Sequence, residues 1–246
     1  MEHTVKAFEE ELRTLDSHIA KMGGLTELVL GQAILALERR DPELAESAIK
    51  QDRHIDDLER RIEEDAISLI ARRQPMALDL RQIVTALKIA SDLERIGDLS
   101  KNIAKRALAI SAEQQPKQLM LGIKHIGILA LEQLKDVLDA YSGRDTEKAL
   151  RVWFRDERID AMYNSLFREL LTYMMEDPRN IGLCTHLLFG AKNLERIGDH
   201  TTNIAENVHY LVHGTTISEQ RPKGDVTSYT LIDFPDQVFT NGKDED

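Results

Sequence analysis

Through residue 213, apolar side chains return every three or four positions, with polar and charged residues filling the places between. Between 77 and 112 the apolar face reads Ile83, Leu87, Ala90, Leu93, Gly97, Ile103 and Ala107. Between 180 and 213 it reads Leu187, Leu194, Ile197, Ile204, Val208 and Leu211. This i, i+3, i+4, i+7 spacing is that of an amphipathic α-helix, and the strict alternation of a half-buried strand is not evident in these stretches. Breakers are sparse: Asp41-Pro42, Gln74-Pro75, Gln115-Pro116, Gly143 and Asp177-Pro178 cut the chain into long periodic segments. The pattern predicts helices over 4–40, 42–73, 77–112, 117–142, 145–176 and 180–213, with ends good to about three residues. Asp41-Pro42-Glu43 supplies a cap, a proline at the first helical position and an acid in the first turn. Arg72-Arg73 places cations where a helix C-terminus favours them. Gly23, Gly24 and Gly31 interrupt the first segment and predict a kink or a close contact there.

The segments come in two sets. Leu93-Glu94-Arg95-Ile96-Gly97-Asp98 recurs letter for letter as Leu194-Glu195-Arg196-Ile197-Gly198-Asp199, and Asn102-Ile103-Ala104 recurs at the same offset as Asn203-Ile204-Ala205. Upstream, Asp52 to Asp56 (DRHID) is echoed by Asp156 to Asp160 (DERID). Such self-similarity means one helical unit built twice. The expected fold is all-α: two tandem, pseudo-symmetric three-helix bundles, over 1–114 and 115–213, made antiparallel by short connections. Residues 214–246 are rich in Gly, Ser, Thr, Pro and Asp and read as a flexible tail, with one apolar patch from Tyr229 to Phe234.

Composition narrows the chemistry. Forty-three acidic against 32 basic residues give a net charge of −11, which argues against a nucleic-acid partner. The lone Cys184 excludes an internal disulfide and a cysteine-cluster metal site, and its setting reads as a small buried apolar residue. The acidic, amphipathic start lacks the layout of a secretion signal. No uninterrupted apolar stretch approaches the ~20 residues a bilayer needs, so a soluble, cytoplasmic protein is expected. Trp153, Phe154, Tyr163, Phe167 and Tyr173 read as core of the second bundle. His209 and His213 suit the C-terminal dipole of the last helix better than an ion. Glycine-rich phosphate loops, Ser/His/Asp order and HExxH are missing from the sequence.

Four acidic pairs hold the most informative chemistry: Asp52/Asp56, Glu94/Asp98, Asp156/Asp160 and Glu195/Asp199. Each sets two carboxylates one helical turn apart, with Cβ atoms about 5–6 Å from each other and a repulsion of a few tenths of a kcal/mol. A cation removes that repulsion. Clustered hard oxygens suit Mg²⁺, Mn²⁺ or Ca²⁺, and iron or zinc less selectively. Chance alone gives roughly seven such spacings in a chain this acidic. Glu59/Glu63 and Glu132/Asp136, which have no repeat mate, read as solvated faces. Arg95 and Arg196 also stand three residues before Asp98 and Asp199, and Gly97 and Gly198 suit close helix contact. A metal-binding face and a structural salt-bridge belt both remain open on these residues.

The doubled LERIGD with its NIA, the DxxxD pairs one helix earlier, Arg72-Arg73-Gln74-Pro75 and the string from Leu171 to Asp177 (LTYMMED) together resemble the PhoU family over about residues 5–213. The resemblance implies multinuclear sites for divalent or trivalent ions (Mg, Mn, Fe or Zn), with Asp52, Asp56, Glu94, Asp98, Asp156, Asp160, Glu195 and Asp199 as ligands. It also implies a non-enzymatic, metal-binding regulatory adaptor of phosphate homeostasis. Such an adaptor restrains the phosphate-starvation response through a membrane sensor histidine kinase and limits uptake through the ATPase subunit of a phosphate ABC transporter. A homodimer or larger assembly is implied, touching the membrane only through those partners. Two alternatives stand beside it. One is a hydrolase or oxygenase with carboxylate-bridged metals, disfavoured because no nitrogen ligand is obviously paired with the acids. The other is a metal-free helical scaffold held by arginine–acid belts.

Overall fold

Six long helices follow one another in the computed structural model, which describes residues 2–113 and 116–219. They are α1 (Glu2–Arg39), α2 (Pro42–Arg73), α3 (Ala77–Ala109), α4 (Lys117–Gly143), α5 (Thr146–Glu176) and α6 (Ile181–His213), with a single 3₁₀ turn (Pro178–Asn180) before α6. Local chemistry sets their ends as the sequence suggested. Asp41 caps α2, its Oδ1 accepting from the Glu43 N–H at 2.9 Å and the Leu44 N–H at 3.1 Å, with Pro42 next in line. Asp145 caps α5 in the same way, accepting from the Lys148 N–H at 2.9 Å. Arg72 and Arg73 do more than face a dipole: both guanidiniums bond Glu11, at 3.0 and 2.9 Å, and tie the end of α2 to the start of α1.

Helices α1, α2 and α3 pack on one another, as do α4, α5 and α6, and the halves join where α3 meets α6 and α1 meets α4. Residues 114–115, where the boundary between halves was expected, lie outside the described residues. Buried Leu, Ile and Ala side chains from all six helices form one continuous core, each large side chain contributing roughly 1.5–3 kcal/mol on leaving water.

The α3–α6 seam fixes the relation of the repeats. Arg81 reaches the carbonyls of Tyr210 and Leu211 at 3.5 and 3.4 Å, His200 and Asn203 meet Asp92, and the Arg106 guanidinium stands 4.6 Å from the Phe189 ring centre. The helices are therefore antiparallel, in a register that sets the two LERIGD strings opposite each other near the middle of the crossing. Across α1–α4, Asp16 is the hub. It accepts from the Tyr141 hydroxyl at 2.6 Å, from Arg144 Nη2 at 2.9 Å and from Gln82 Nε2 at 2.9 Å. Gly23 sits where a Cβ would come within 2.7 Å of Leu138 Cδ2, so the glycine in α1 marks close packing on α4.

Three expectations change. Phe154 is half exposed, its ring set edge-on to Trp153, because helical spacing turns it off the core face that Trp153 occupies. One segment, Lys6–Arg39 of α1, is long and apolar enough to cross a membrane by length and composition, and half of its most apolar window is buried inside the protein, as suits a core helix. The first residues after α6 fold back. Gly214 closes the helix with φ 75°, its N–H bonding Tyr210 O at 2.8 Å, and Ile217 packs against the core. The apolar patch from Tyr229 to Phe234, and the rest of 220–246, lie outside the described residues.

Candidate functional site

Each acidic pair lands on a helix seam inside one half. Asp52 and Asp56 come from α2 and face Glu94 and Asp98 on α3, while Asp156 and Asp160 on α5 occupy the equivalent place beside Glu195 and Asp199 on α6. Burial is uneven. Asp52, Asp156, Asp160 and Glu195 are buried, whereas Asp56, Glu94, Asp98 and Asp199 are half-buried at the rim. Placing four carboxylates so deep is costly unless each finds a compensating group.

The repeated glycine explains how the acids get there. A Cβ at Gly97 would meet Ile55 Cδ1 at 2.9 Å and Asp52 Oδ1 at 3.3 Å. One at Gly198 would meet Asp156 Oδ1 at 2.7 Å and Ile159 Cδ1 at 3.2 Å. In both halves, then, the missing side chain of LERIGD is space shared by an aspartate and an isoleucine of the preceding helix, the isoleucine nearer at Gly97 and the aspartate nearer at Gly198.

In the first half the acids converge on an ammonium. Lys101 Nζ lies 2.5 Å from Asp52 Oδ2 and 2.5 Å from Asp98 Oδ1, bridging α2 and α3. Arg95 stands farther out, 3.5 Å from Glu94 and 3.9 Å from Asp98. Burial pushes the Asp52 carboxyl up, and Lys101 only partly offsets it. Burial, and then the hydrogen bond and charge of Asp98, push Glu94 up to about 7. Asp98 is raised by burial too, but the hydrogen bonds from Lys101 and Glu94 outweigh that and hold it below the usual range. Of the two carboxyls, Glu94 therefore keeps its proton to the higher pH. Asp52 Oδ1 is buried with no hydrogen-bond partner among the described residues, a cost on the order of 1–3 kcal/mol.

In the second half, Lys192 Nζ is 2.9 Å from Glu195 Oε2 and 5.0 Å from the centre of the Tyr163 ring. Gln133 lines the same region, its amide donating to Val152 O at 3.1 Å.

The donors are hard carboxylate oxygens, and the first cradle holds an unsatisfied buried acceptor, so its chemistry fits a hard cation. The arrangement at hand is nonetheless an ammonium between two carboxylates. Among the described residues no three His, Cys, Asp or Glu side chains are gathered as a metal-binding group. Sequence reasoning missed Lys101 and Lys192, although each stands three residues from a motif acid, a spacing that helical geometry makes adjacent. It also misjudged Glu59, whose carboxyl is pushed up by burial and by the charges of Glu63, Asp56 and Asp98. Glu59 belongs to the first acid cluster rather than to a solvated face.

A second polar cleft, of about 560 Å³, opens at the α3–α6 seam among Lys88, Ser91, Asp92, Asn203, Glu206, Asn207, Tyr210 and Thr216. Its two acids are engaged, Asp92 by His200 at 2.9 Å and Glu206 by the Trp153 indole N–H at 2.9 Å.

A family model described as the PhoU domain matches the chain twice, over residues 19–107 and 123–208, one match in each half. The chain belongs to the PhoU family. Among its PhoU relatives is the phosphate-specific transport system accessory protein PhoU homolog of Rhizobium meliloti strain 1021, 55% identical over 92% of this chain and 95% of that protein. The protein of the same name from Caulobacter vibrioides is 52% identical over 92% and 99%. The crystal structure of PhoU from Pseudomonas aeruginosa superposes with a TM-score of 0.82 at 41% identity, covering 85% of this chain and all of that one. The phosphate transport system regulatory protein PhoU from Streptococcus pneumoniae gives 0.79 at 32%, covering 86% and 100%. In both halves the PhoU match spans the acid seam.

Proposed function

We propose that this protein is a non-enzymatic, cytoplasmic accessory regulator of a phosphate-specific transport system. In this reading it restrains the phosphate-starvation response through a membrane sensor histidine kinase and limits uptake through the ATPase subunit of a phosphate ABC transporter. The observation that carries the reading is the twofold PhoU match laid over two equivalent, acid-lined seams. The names of its relatives, spanning nearly the whole chain, support an accessory role over a catalytic one.

The acid seams are the proposed ion sites. A divalent or trivalent ion there supplies the positive charge that the clustered carboxylates lack. The chain's own residues do the rest: Gly97 and Gly198 let the helices approach, the buried aspartates join α2 to α3 and α5 to α6, and the rim acids face solvent. Ion occupancy stiffens each seam and sets the surface offered to partners, and it is coupled to partner binding if the two bound states differ in ion affinity. A homodimer or larger assembly is part of this reading.

The competing reading is a metal-free scaffold, favoured by Lys101 standing between Asp52 and Asp98. Two measurements separate them. Elemental analysis of protein purified without chelator is expected to find bound metal that Asp98→Ala with Asp199→Ala removes. Unchanged content in the double variant rejects the ion sites. A bacterial strain lacking its own PhoU-family protein, with phosphate uptake and a starvation reporter as readouts, tests the regulatory role. Failure of the wild-type chain to restore control of either rejects it.

A further inference from the structure

We propose that Lys101 is a tethered cation that occupies the ion position of the first cradle and competes with a divalent ion for it. This rests on the reading that the acid seams hold ions, and it concerns a residue with no counterpart in the repeat. The register-matched residue in the second half is Thr202, whose hydroxyl donates to the Asp199 carbonyl at 2.7 Å. The lysine near the second cradle, Lys192, approaches from the other end of the motif, three residues before Glu195 rather than three after an aspartate.

Three features separate this arrangement from a plain salt bridge. First, the ammonium sits 2.5 Å from oxygens contributed by two different helices, at the point where α2 and α3 present their acids to one another. Second, it leaves the cradle short of positive charge. Asp52 and Asp98 share Lys101, Glu94 and Asp98 share the mostly exposed Arg95, and Asp56 and Glu59 add their negative charge nearby, while Asp52 Oδ1, on a side chain only 3% exposed, has no hydrogen-bond partner among the described residues. A divalent ion supplies twice the charge and accepts further oxygens. Third, Lys101 is 22% exposed along a four-carbon stem, so its head can swing into water without opening the core. Ion entry and lysine exit are then one exchange. The apparent ion affinity is the intrinsic affinity reduced by the fraction of molecules with the lysine already out.

The test uses the full chain carrying Asp199→Ala, so that binding reports the first cradle, with Mn²⁺ as the probe and calorimetry on chelator-treated protein. Lys101→Met keeps the stem and removes the charge. It is expected to tighten Mn²⁺ binding by about tenfold or more, to lower the ion-free melting temperature, and to enlarge the rise in that temperature on adding Mn²⁺. Lys101→Arg keeps the charge and is expected to bind Mn²⁺ no more tightly than the parent. Equal affinity in the parent and Lys101→Met, or tighter binding by Lys101→Arg, overturns the competition while leaving ion binding intact. Absence of Mn²⁺ binding from the wild-type chain and from every variant overturns the ion reading and the competition together. Helical circular dichroism of each variant checks that the comparison is between folded proteins.

Discussion

Adding one methyl group to LERIGD tests why the motif contains glycine. In an exposed helix interior, Gly→Ala gains up to about 1 kcal/mol. At Gly198 the new Cβ would lie 2.7 Å from Asp156 Oδ1 and 3.2 Å from Ile159 Cδ1, so α5 must shift or a buried carboxylate must leave its place. Overpacking of this kind costs about 1–3 kcal/mol, leaving Gly198→Ala destabilised by up to about 2 kcal/mol once the helical gain is subtracted. Gly190 lies on the same helix, and a methyl group there would have nothing within 4 Å. Gly190→Ala should therefore be stabilised by up to about 1 kcal/mol. At Gly97 the first obstacle is Ile55 Cδ1 at 2.9 Å, the far end of a flexible side chain, so Gly97→Ala should fall between the two. Urea unfolding with an unchanged m-value measures the differences, and in a chain of this size they separate the melting temperatures of Gly198→Ala and Gly190→Ala by roughly 2–12 °C. If Gly198→Ala proves as stable as Gly190→Ala, close approach to the aspartate is not what the glycine is for.

Asp16→Ala strips the acceptor from Tyr141, Arg144 and Gln82 and leaves a buried phenol unsatisfied; denaturant unfolding should show a loss of about 2–3 kcal/mol, with Tyr141→Phe losing less. The raised Glu94 carboxyl gives a pH dependence. Between its ordinary value of 4.5 and about 7 the folded protein keeps a proton that the unfolded chain has released, so the contribution to stability is fully present below that window and lost as pH rises through about 7. In chelator-treated protein, the fall in urea midpoint across this range should shrink in Glu94→Gln, and an equal fall in the variant refutes the assignment. Cys184 is fully buried and its thiol is pushed up by that burial, so alkylation should proceed at the rate of unfolding and accelerate with urea. Rapid labelling of the native protein would contradict this.

The helices were legible because the information is local. Apolar spacing, the Asp41-Pro42 start and the proline breaks act within a few residues, and the observed ends agree closely with the expected ones, α3 stopping at Ala109 rather than 112. The acid pairs were legible for the same reason, and the repeat picked them out from other acids. Glu59 escaped because nothing in its own helix distinguishes it from a solvated glutamate; its neighbours Asp98 and Asp56 become its electrostatic environment only when α3 lies against α2. Phe154 escaped in the opposite sense, since it is adjacent in sequence to buried Trp153 yet turned about 100° from it on the helix.

The sequence by itself determined six helices, their pairing into two like units, and which carboxylates share a helical face, since one turn of helix is the same length everywhere. Only the tertiary structure decided what those faces meet. It set α3 antiparallel to α6 with the two motifs opposed, made Asp16 the joint between halves, and brought the Lys101 ammonium between acids 46 positions apart in the chain, Asp52 and Asp98. These contacts depend on side-chain shape and charge from helices distant in sequence, which no short-range periodicity encodes.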